Sequence, residues 1–301
     1  MKCLCCSGEA KYFAKFRNRN CVVRRFRCQR CGKTFSEPQP FDGLRVETGK
    51  ITDVVRLLCE GVGIKAASRL TGLEKKTVLN ILETLGEKCA RFHDATVRNL
   101  KIANVETDEL YSKVFCKQDQ NKSGSDERGD QYTYVSFCRD LKLIISFYTG
   151  KRSRENTRIH VQGLHGRLAG RTQITTDNYV AYRGKRGAIA NTFGRDSVDY
   201  GMLTKVYAKS LLPENRYAPP VCILSKKTAI FGQPNRDTIC TSHVERQNLN
   251  FRQFNRRFTR LILGYLNKLK TCAIRLLCSP ASGISVGNTR PQNERRHKRQ
   301  D

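Results

Sequence analysis

The stretch Ile102-Ala103-Asn104-Val105-Glu106-Thr107-Asp108-Glu109-Leu110-Tyr111-Ser112-Lys113-Val114-Phe115 decides the fold. It predicts a β-strand that carries three acids, Glu106, Asp108 and Glu109. Residues 132–139 and 141–148, rich in Val, Ile, Phe and Tyr, predict two further strands joined by a tight connection at Arg139 and Asp140. A polar loop over 117–130 separates the first two. A helix is expected over 155–168, then a short strand over 173–176 that ends at Asp177. A strand over 202–208 and a long helix from about 243 to 263 follow, with Pro213, Pro219 and Pro220 marking an insertion between them. This alternation from about residue 100 onward predicts a mixed α/β domain.

Three antiparallel strands followed by alternating helices and strands suit a ribonuclease-H-like sheet. In that geometry an acid on the central first strand, one just past the fourth strand and one on a later helix converge. Asp177 and Glu245 take the last two places, while Glu106, Asp108 and Glu109 compete for the first. Converging carboxylates repel one another unless they bind cations. Two Mg²⁺ (or Mn²⁺) ions about 3.5–4 Å apart would neutralise them and clamp the attacking and leaving oxygens of a phosphodiester. Each acid also has a plainer reading: Asp108 as an ordinary strand acid, Asp177 as a helix N-cap, Glu245 as half of a Ser242-x-x-Glu245 capping box. On the last helix Phe251, Phe254, Phe258 and Leu261 recur at helical spacing and predict its buried face. Arg252, Arg256 and Arg260 fall on roughly the side of Glu245 and, with Arg246, could meet a DNA backbone; a solvated basic face is the alternative.

The 301 residues hold 56 Lys and Arg against 27 Asp and Glu, a net charge of +29. Such a bias points to a polyanionic partner, of which nucleic acid, such as double-stranded DNA, is the commonest, with a membrane surface as the competing reading. With 39% apolar residues the chain can bury a core, yet no run of about 18 apolar residues offers a membrane span. The opening Met1-Lys2-Cys3-Leu4-Cys5-Cys6 carries no apolar secretory segment, so a cytoplasmic, nucleoid-associated protein is expected. The 14 cysteines then read as metal ligands or core residues.

Cys3 and Cys6 form one Cys-x2-Cys pair, and Cys28 and Cys31 another. Two such turns complete a tetrahedral Zn²⁺ site, so residues 1–40 predict a zinc ribbon, with Gly32 permitting the second turn and Phe35 packing beneath the metal. Cys5 and Cys21 remain spare, and Cys5 could compete with Cys6. Residues 48–92 predict three helices, the last over 77–85, with Val78, Leu79, Leu82 and Leu85 inward. Lys75, Lys76, Thr77 and Asn80 open that last helix, where a helix-turn-helix enters the major groove; a plain three-helix packing unit is the alternative. The expected whole is a multidomain α+β chain: ribbon (1–40), helix-turn-helix domain (48–92), ribonuclease-H-like α/β catalytic domain (100–270) and a disordered basic tail (271–301).

The residues resemble the transposases of the insertion-sequence-one family. The resemblance lies in Thr241-Ser242-His243-Val244-Glu245-Arg246-Gln247-Asn248-Leu249, in Arg256-Arg257-Phe258-Thr259-Arg260-Leu261, in Thr107-Asp108-Glu109-Leu110-Tyr111-Ser112 and in Thr175-Thr176-Asp177-Asn178-Tyr179. The resemblance covers about residues 1–270. It implies a catalytic triad of Asp108, Asp177 and Glu245, which selects Asp108 from its neighbours, and Mg²⁺-dependent cutting and joining of DNA at the ends of a mobile element. It also implies a homo-oligomer on DNA. Two departures stand out: Asn178 replaces a usual Gly after the second aspartate, and residues 271–301 do not continue the family's amphipathic helical segment but read as an out-of-frame tail. Two further readings from the residues stay open: a non-catalytic DNA-binding regulator, and a nuclease that cuts without joining.

Overall fold

Alternating aromatic and basic residues after the first cysteine pair build β1 (Ala10–Arg17) and β2 (Val22–Cys28), which pair antiparallel; β3 (Thr34–Ser36) adds on the far side of β2. The structure, a computed structural model, describes residues 1–3, 5–17, 22–37, 41, 44–183, 186–208, 221–255 and 258. The chain divides into two compact units, Met1–Arg91 and Phe92–Asp301. In the first, α1 (Thr48–Cys59) and α2 (Ile64–Thr71) precede α3 (Lys75–Thr96). Gly72 ends α2 in the left-handed region at φ +66°, a conformation that costs other residues energy. Ile51, Val54, Ile64, Ala67, Val78, Ile81 and Leu82 are buried. The expected inward residues Leu79 and Leu85 are only half-buried, and Ile81 is buried instead. Helix α3 also outruns the expected 77–85. Gly86 sits buried within the helix, and the ordinary helix formers after it carry the helix on to Thr96.

In the second unit the acid-bearing segment forms β4 (Asn104–Val114), followed by β5 (Gly129–Cys138) and β6 (Leu143–Gly150). Then come α4 (Arg154–His165), β7 (Thr172–Thr176), α5 (Ala188–Phe193), β8 (Val198–Tyr207), β9 (Cys222–Phe231) and α6 (Ser242–Phe254). The six strands form one mixed sheet in the order β6-β5-β4-β7-β8-β9. Strand β5 runs antiparallel to both β4 and β6, β7 lies parallel to β4 and β8 parallel to β7, and β9 returns antiparallel.

Helices cover both faces. Val105, Tyr134, Ile145, Val161, Leu164, Ile174, Tyr182 and Ile189 form a core on the α4 and α5 side. Leu110, Val135, Phe137, Ile144, Val244, Phe251 and Phe258 form another beneath α6. Alternation along β4 therefore sends Glu106, Asp108 and Leu110 toward α6, and Val105, Thr107 and Glu109 the other way. Strand β9 and helix α5 were not anticipated. Strand β9 is almost wholly exposed, so it lacks the buried-face alternation that marks a strand, and α5 has only six residues. Among the described residues no helix is long and apolar enough to cross a membrane. The proline insertion at 213–220, Leu261 and the tail 271–301 lie outside the described residues.

Candidate metal centres and their cleft

The two cysteine pairs stand on two turns with the same backbone bonding. Ser7 N–H donates to Cys3 O (3.0 Å) and Cys3 N–H to Gly8 O (2.8 Å); Gly32 N–H donates to Cys28 O (3.1 Å) and Cys28 N–H to Lys33 O (2.9 Å). The residue after each pair is left-handed, Ser7 at φ 56° and Gly32 at φ 68°, as the Gly32 reading anticipated for its turn. Sulfur atoms of Cys3, Cys6, Cys28 and Cys31 all lie within 4.8 Å of one another. Cys3 and Cys31 are 3.7 Å apart, Cys6 and Cys28 3.5 Å. Four thiolates at about 2.3 Å from a tetrahedral zinc ion stand about 3.8 Å apart, so the donor set fits Zn²⁺. The backbone N–H of Cys31, then that of Arg30, hold the Cys28 thiol down to about 6, which favours the thiolate a metal needs. Cys5 does not compete: its sulfur accepts from Lys33 Nζ at 3.2 Å. Phe35 stacks on Phe26, with ring centroids 6.1 Å apart.

In the second unit the sheet register does what local spacing cannot. The parallel pairing of β4 with β7 ends at Thr107 and Thr176, so Asp108 and Asp177 follow side by side. Asp108, Glu109 and Asp177 present oxygens within 4.8 Å of one another. Helix α6 crosses beside them because buried Glu106 accepts its first N–H groups, from His243 (3.0 Å) and Val244 (3.0 Å), and pairs with His243 Nδ1 at 2.6 Å. A carboxylate at a helix N-terminus satisfies orphan donors and complements the dipole. Helix α6 then returns Asn248, whose Nδ2 donates to Asp108 Oδ2 at 2.8 Å.

The outcome is a cleft of about 610 Å³ lined by Asp108, Asp177, Glu245, Arg152, Lys205 and Arg252. Burial, then the neighbouring Asp177 and Glu245 charges, push the Asp108 carboxyl up to about 6. Glu109 faces the opposite side of β4. Burial, then Asp177, push it up to about 7, although Tyr182 Oη donates to its Oε1 (2.7 Å) and Arg152 to its Oε2 (3.0 Å). Arg152 also reaches to 3.8 Å from Asp177 and lies over the Tyr179 ring at 4.0 Å. Glu245 lines the cleft but stands outside the three-acid cluster. Lys205 Nζ holds both its oxygens, at 2.5 and 2.7 Å, and Thr241 Oγ1 donates to one at 2.6 Å.

No protein-family model and no curated protein matches the chain.

The capping readings of Asp177 and Glu245 do not hold. No helix starts at Asp177; its Oδ1 accepts from Tyr179 N–H at 2.9 Å in a local turn. The capping box does not form, since Thr241 rather than Ser242 precedes the first turn and no side chain caps it. Asn178 is not left-handed, so that position makes no demand on a glycine here. Lys75, Lys76 and Asn80 are exposed at the start of α3 and Thr77 is half-buried; Arg246 is exposed on α6. Phe251 and Phe258 are buried as expected, while Phe254 is half-buried. Arg256 and Arg260 lie outside the described residues. Sequence reasoning missed Arg152, Tyr182, Lys205 and Asn248. Lys205 alone left a trace, as a lysine inside a strand between apolar Leu203 and Tyr207.

Proposed function

We propose that the chain is a DNA transposase similar to the insertion-sequence-one family, with a ribonuclease-H-like catalytic domain in its second unit. One observation carries the reading: Asp108, Asp177 and Glu245 line a single cleft together with Arg152, Lys205 and Arg252. The strand order supports the fold, since the antiparallel strands β5 and β6 lie on one side of β4 and the parallel strands β7 and β8 on the other; β9 is an addition. The net charge of +29 and the exposed Lys75, Lys76 and Asn80 support DNA as partner. Two element ends held together require a homo-oligomer on DNA.

The oxygen donors suit Mg²⁺ or Mn²⁺, whose octahedral ligands at about 2.1 Å stand about 3.0–4.2 Å apart. Held by Asp108, Asp177 and Glu245, such ions would supply charge neutralisation and Lewis acidity. The chain's own groups do the rest. Asn248 orients Asp108, Arg152 fixes Glu109 beside Asp177, and Glu106 fixes the start of the helix that carries Glu245. Lys205, which holds Glu245, and Arg252 give the cleft wall its positive charge toward a DNA backbone. Catalysis by such a site is positioning and electrostatics, with no covalent intermediate.

The test is a strand cleavage and joining assay on element-end DNA with Mg²⁺. Replacing Asp108, Asp177 or Glu245 with Ala lowers cleavage by roughly 10³-fold or more and leaves end binding intact. Joining by the triple variant contradicts the assignment. Binding without nicking by the parent chain leaves a DNA-binding regulator, and cutting without joining leaves a nuclease.

A further inference from the structure

The ribbon sheet exposes rings that its fold does not use. Phe13 is 53% exposed and Phe16 43%, both on β1, and neither makes a ring-to-ring contact among the described residues, whereas Tyr12, though also exposed, packs edge-on against Phe26, which stacks on Phe35. Arg27 lies over the Phe13 ring at 6.0 Å and Arg25 over the Phe16 ring at 5.9 Å. Arg25 and Arg27 are two apart on β2 and share one face; Arg27 faces Lys11 across the strand pair. Residues 1–40 carry ten Lys and Arg against Glu9 and Glu37, and Arg24 already pairs with Glu37 at 2.6 Å.

Exposed phenylalanines gain nothing from a duplex backbone, which presents only phosphate and sugar. Unpaired bases present π faces, and a basic surface with interleaved rings serves both parts of such a strand: cations for phosphates, rings and guanidiniums for bases. We propose that this face of the ribbon is a stacking platform for single-stranded DNA, with successive bases on Phe13 and Phe16 and phosphates near Arg25, Arg27 and Lys11. The platform belongs to the first unit and uses none of the residues of the carboxylate cleft, so it needs no Mg²⁺ or Mn²⁺.

The chain contains no tryptophan, which makes a direct optical test available. Phe13→Trp and Phe16→Trp each place one indole on the platform of the full-length, zinc-loaded chain. Titration in EDTA-free buffer without Mg²⁺ uses oligo(dT) of about 16 nucleotides, with a duplex of equal length and oligo(rU) as the other arms. Oligo(dT) quenches the indole and the duplex does not. A Phe13→Ala, Phe16→Ala double variant loses about tenfold or more in oligo(dT) affinity. Its zinc content and circular dichroism stay unchanged because both rings are exposed, and Phe→Tyr at both positions restores binding. Three outcomes overturn the proposal: no quenching together with parental affinity in the double-alanine variant, equal quenching by duplex, or tighter binding to oligo(rU).

Discussion

The cysteine site and the carboxylate cleft are built by opposite routes. Each cysteine pair is held by a turn that closes on its own backbone within six residues, and only the meeting of the two turns is long-range. The carboxylates come from positions 108, 177 and 245 and line one cleft only because a parallel strand pair ends where it does and because Glu106 anchors a helix from 137 residues away. A local site survives damage elsewhere in the chain. A site made by register and helix docking fails when any one of those distant contacts fails.

The largest expected effect lies at the cysteines. Structural zinc contributes roughly 10 kcal/mol or more to such a fold. Cys28→Ser with Cys31→Ser therefore loses the metal and the protection of the β1–β2 amides, as read by metal analysis and hydrogen exchange. Equal zinc content in variant and parent removes the ribbon from the account. The carboxylate cleft is sharpened next by a residue outside it. Glu106→Ala leaves the first N–H groups of α6 and His243 without their partner. It costs about 3 kcal/mol, or a fall of roughly 6–12 °C in the melting temperature. Cleavage falls with it, although Glu106 does not line the cleft.

A smaller effect has the opposite sign. The Asp108 carboxyl titrates at about 6 in the fold, against an ordinary value near 4. Between those two pH values the folded chain holds a proton that the unfolded chain has lost, so this group's contribution to stability declines as pH rises through the window. Asp108→Asn removes that penalty and, without divalent cation at pH 7.5, raises the melting temperature by about 2 °C, while it abolishes cleavage. Buried His160 runs the other way. Burial holds it down to about 3, so stability is lost as pH falls below about 6.5 and the unfolded chain takes up the proton. The smallest effects compare the two cysteine turns. Gly32→Ala, at φ 68°, costs about 1 kcal/mol, whereas Ser7→Gly at φ 56° stabilises by less than that, measured by chemical denaturation.

The same contrast explains what was legible in the sequence. Both cysteine pairs, Gly32 and the three helices of the first unit announce themselves by spacing, because the physics that forms them is local. Strands β4 to β7 were legible through their Val, Ile and Tyr content, and Asp177 through its place at a strand end. Among Glu106, Asp108 and Glu109, however, composition offers no choice. Their roles diverge because alternate faces of β4 meet different partners: Glu106 the α6 backbone, Asp108 the Asn248 amide, Glu109 the Tyr182 hydroxyl and Arg152. Asn248, Tyr182, Arg152 and Lys205 act through contacts made across the fold, so no local pattern assigns their roles, and Lys205 shows only as a lysine within a strand. Helix α3 outran its expected end because the apolar spacing that marked it stops at Leu85, while the helix continues to Thr96.

The central claim is that distant carboxylates share divalent cation in a basic cleft. Mn²⁺ binding followed by electron paramagnetic resonance on the full chain, saturated with zinc beforehand, tests it most directly. The account predicts Mn²⁺ bound by the parent chain, a loss of at least about tenfold in affinity for Asp108→Asn and for Asp177→Asn, and a smaller loss for Glu245→Gln. Binding that is unchanged in the Asp108→Asn, Asp177→Asn double variant would contradict it.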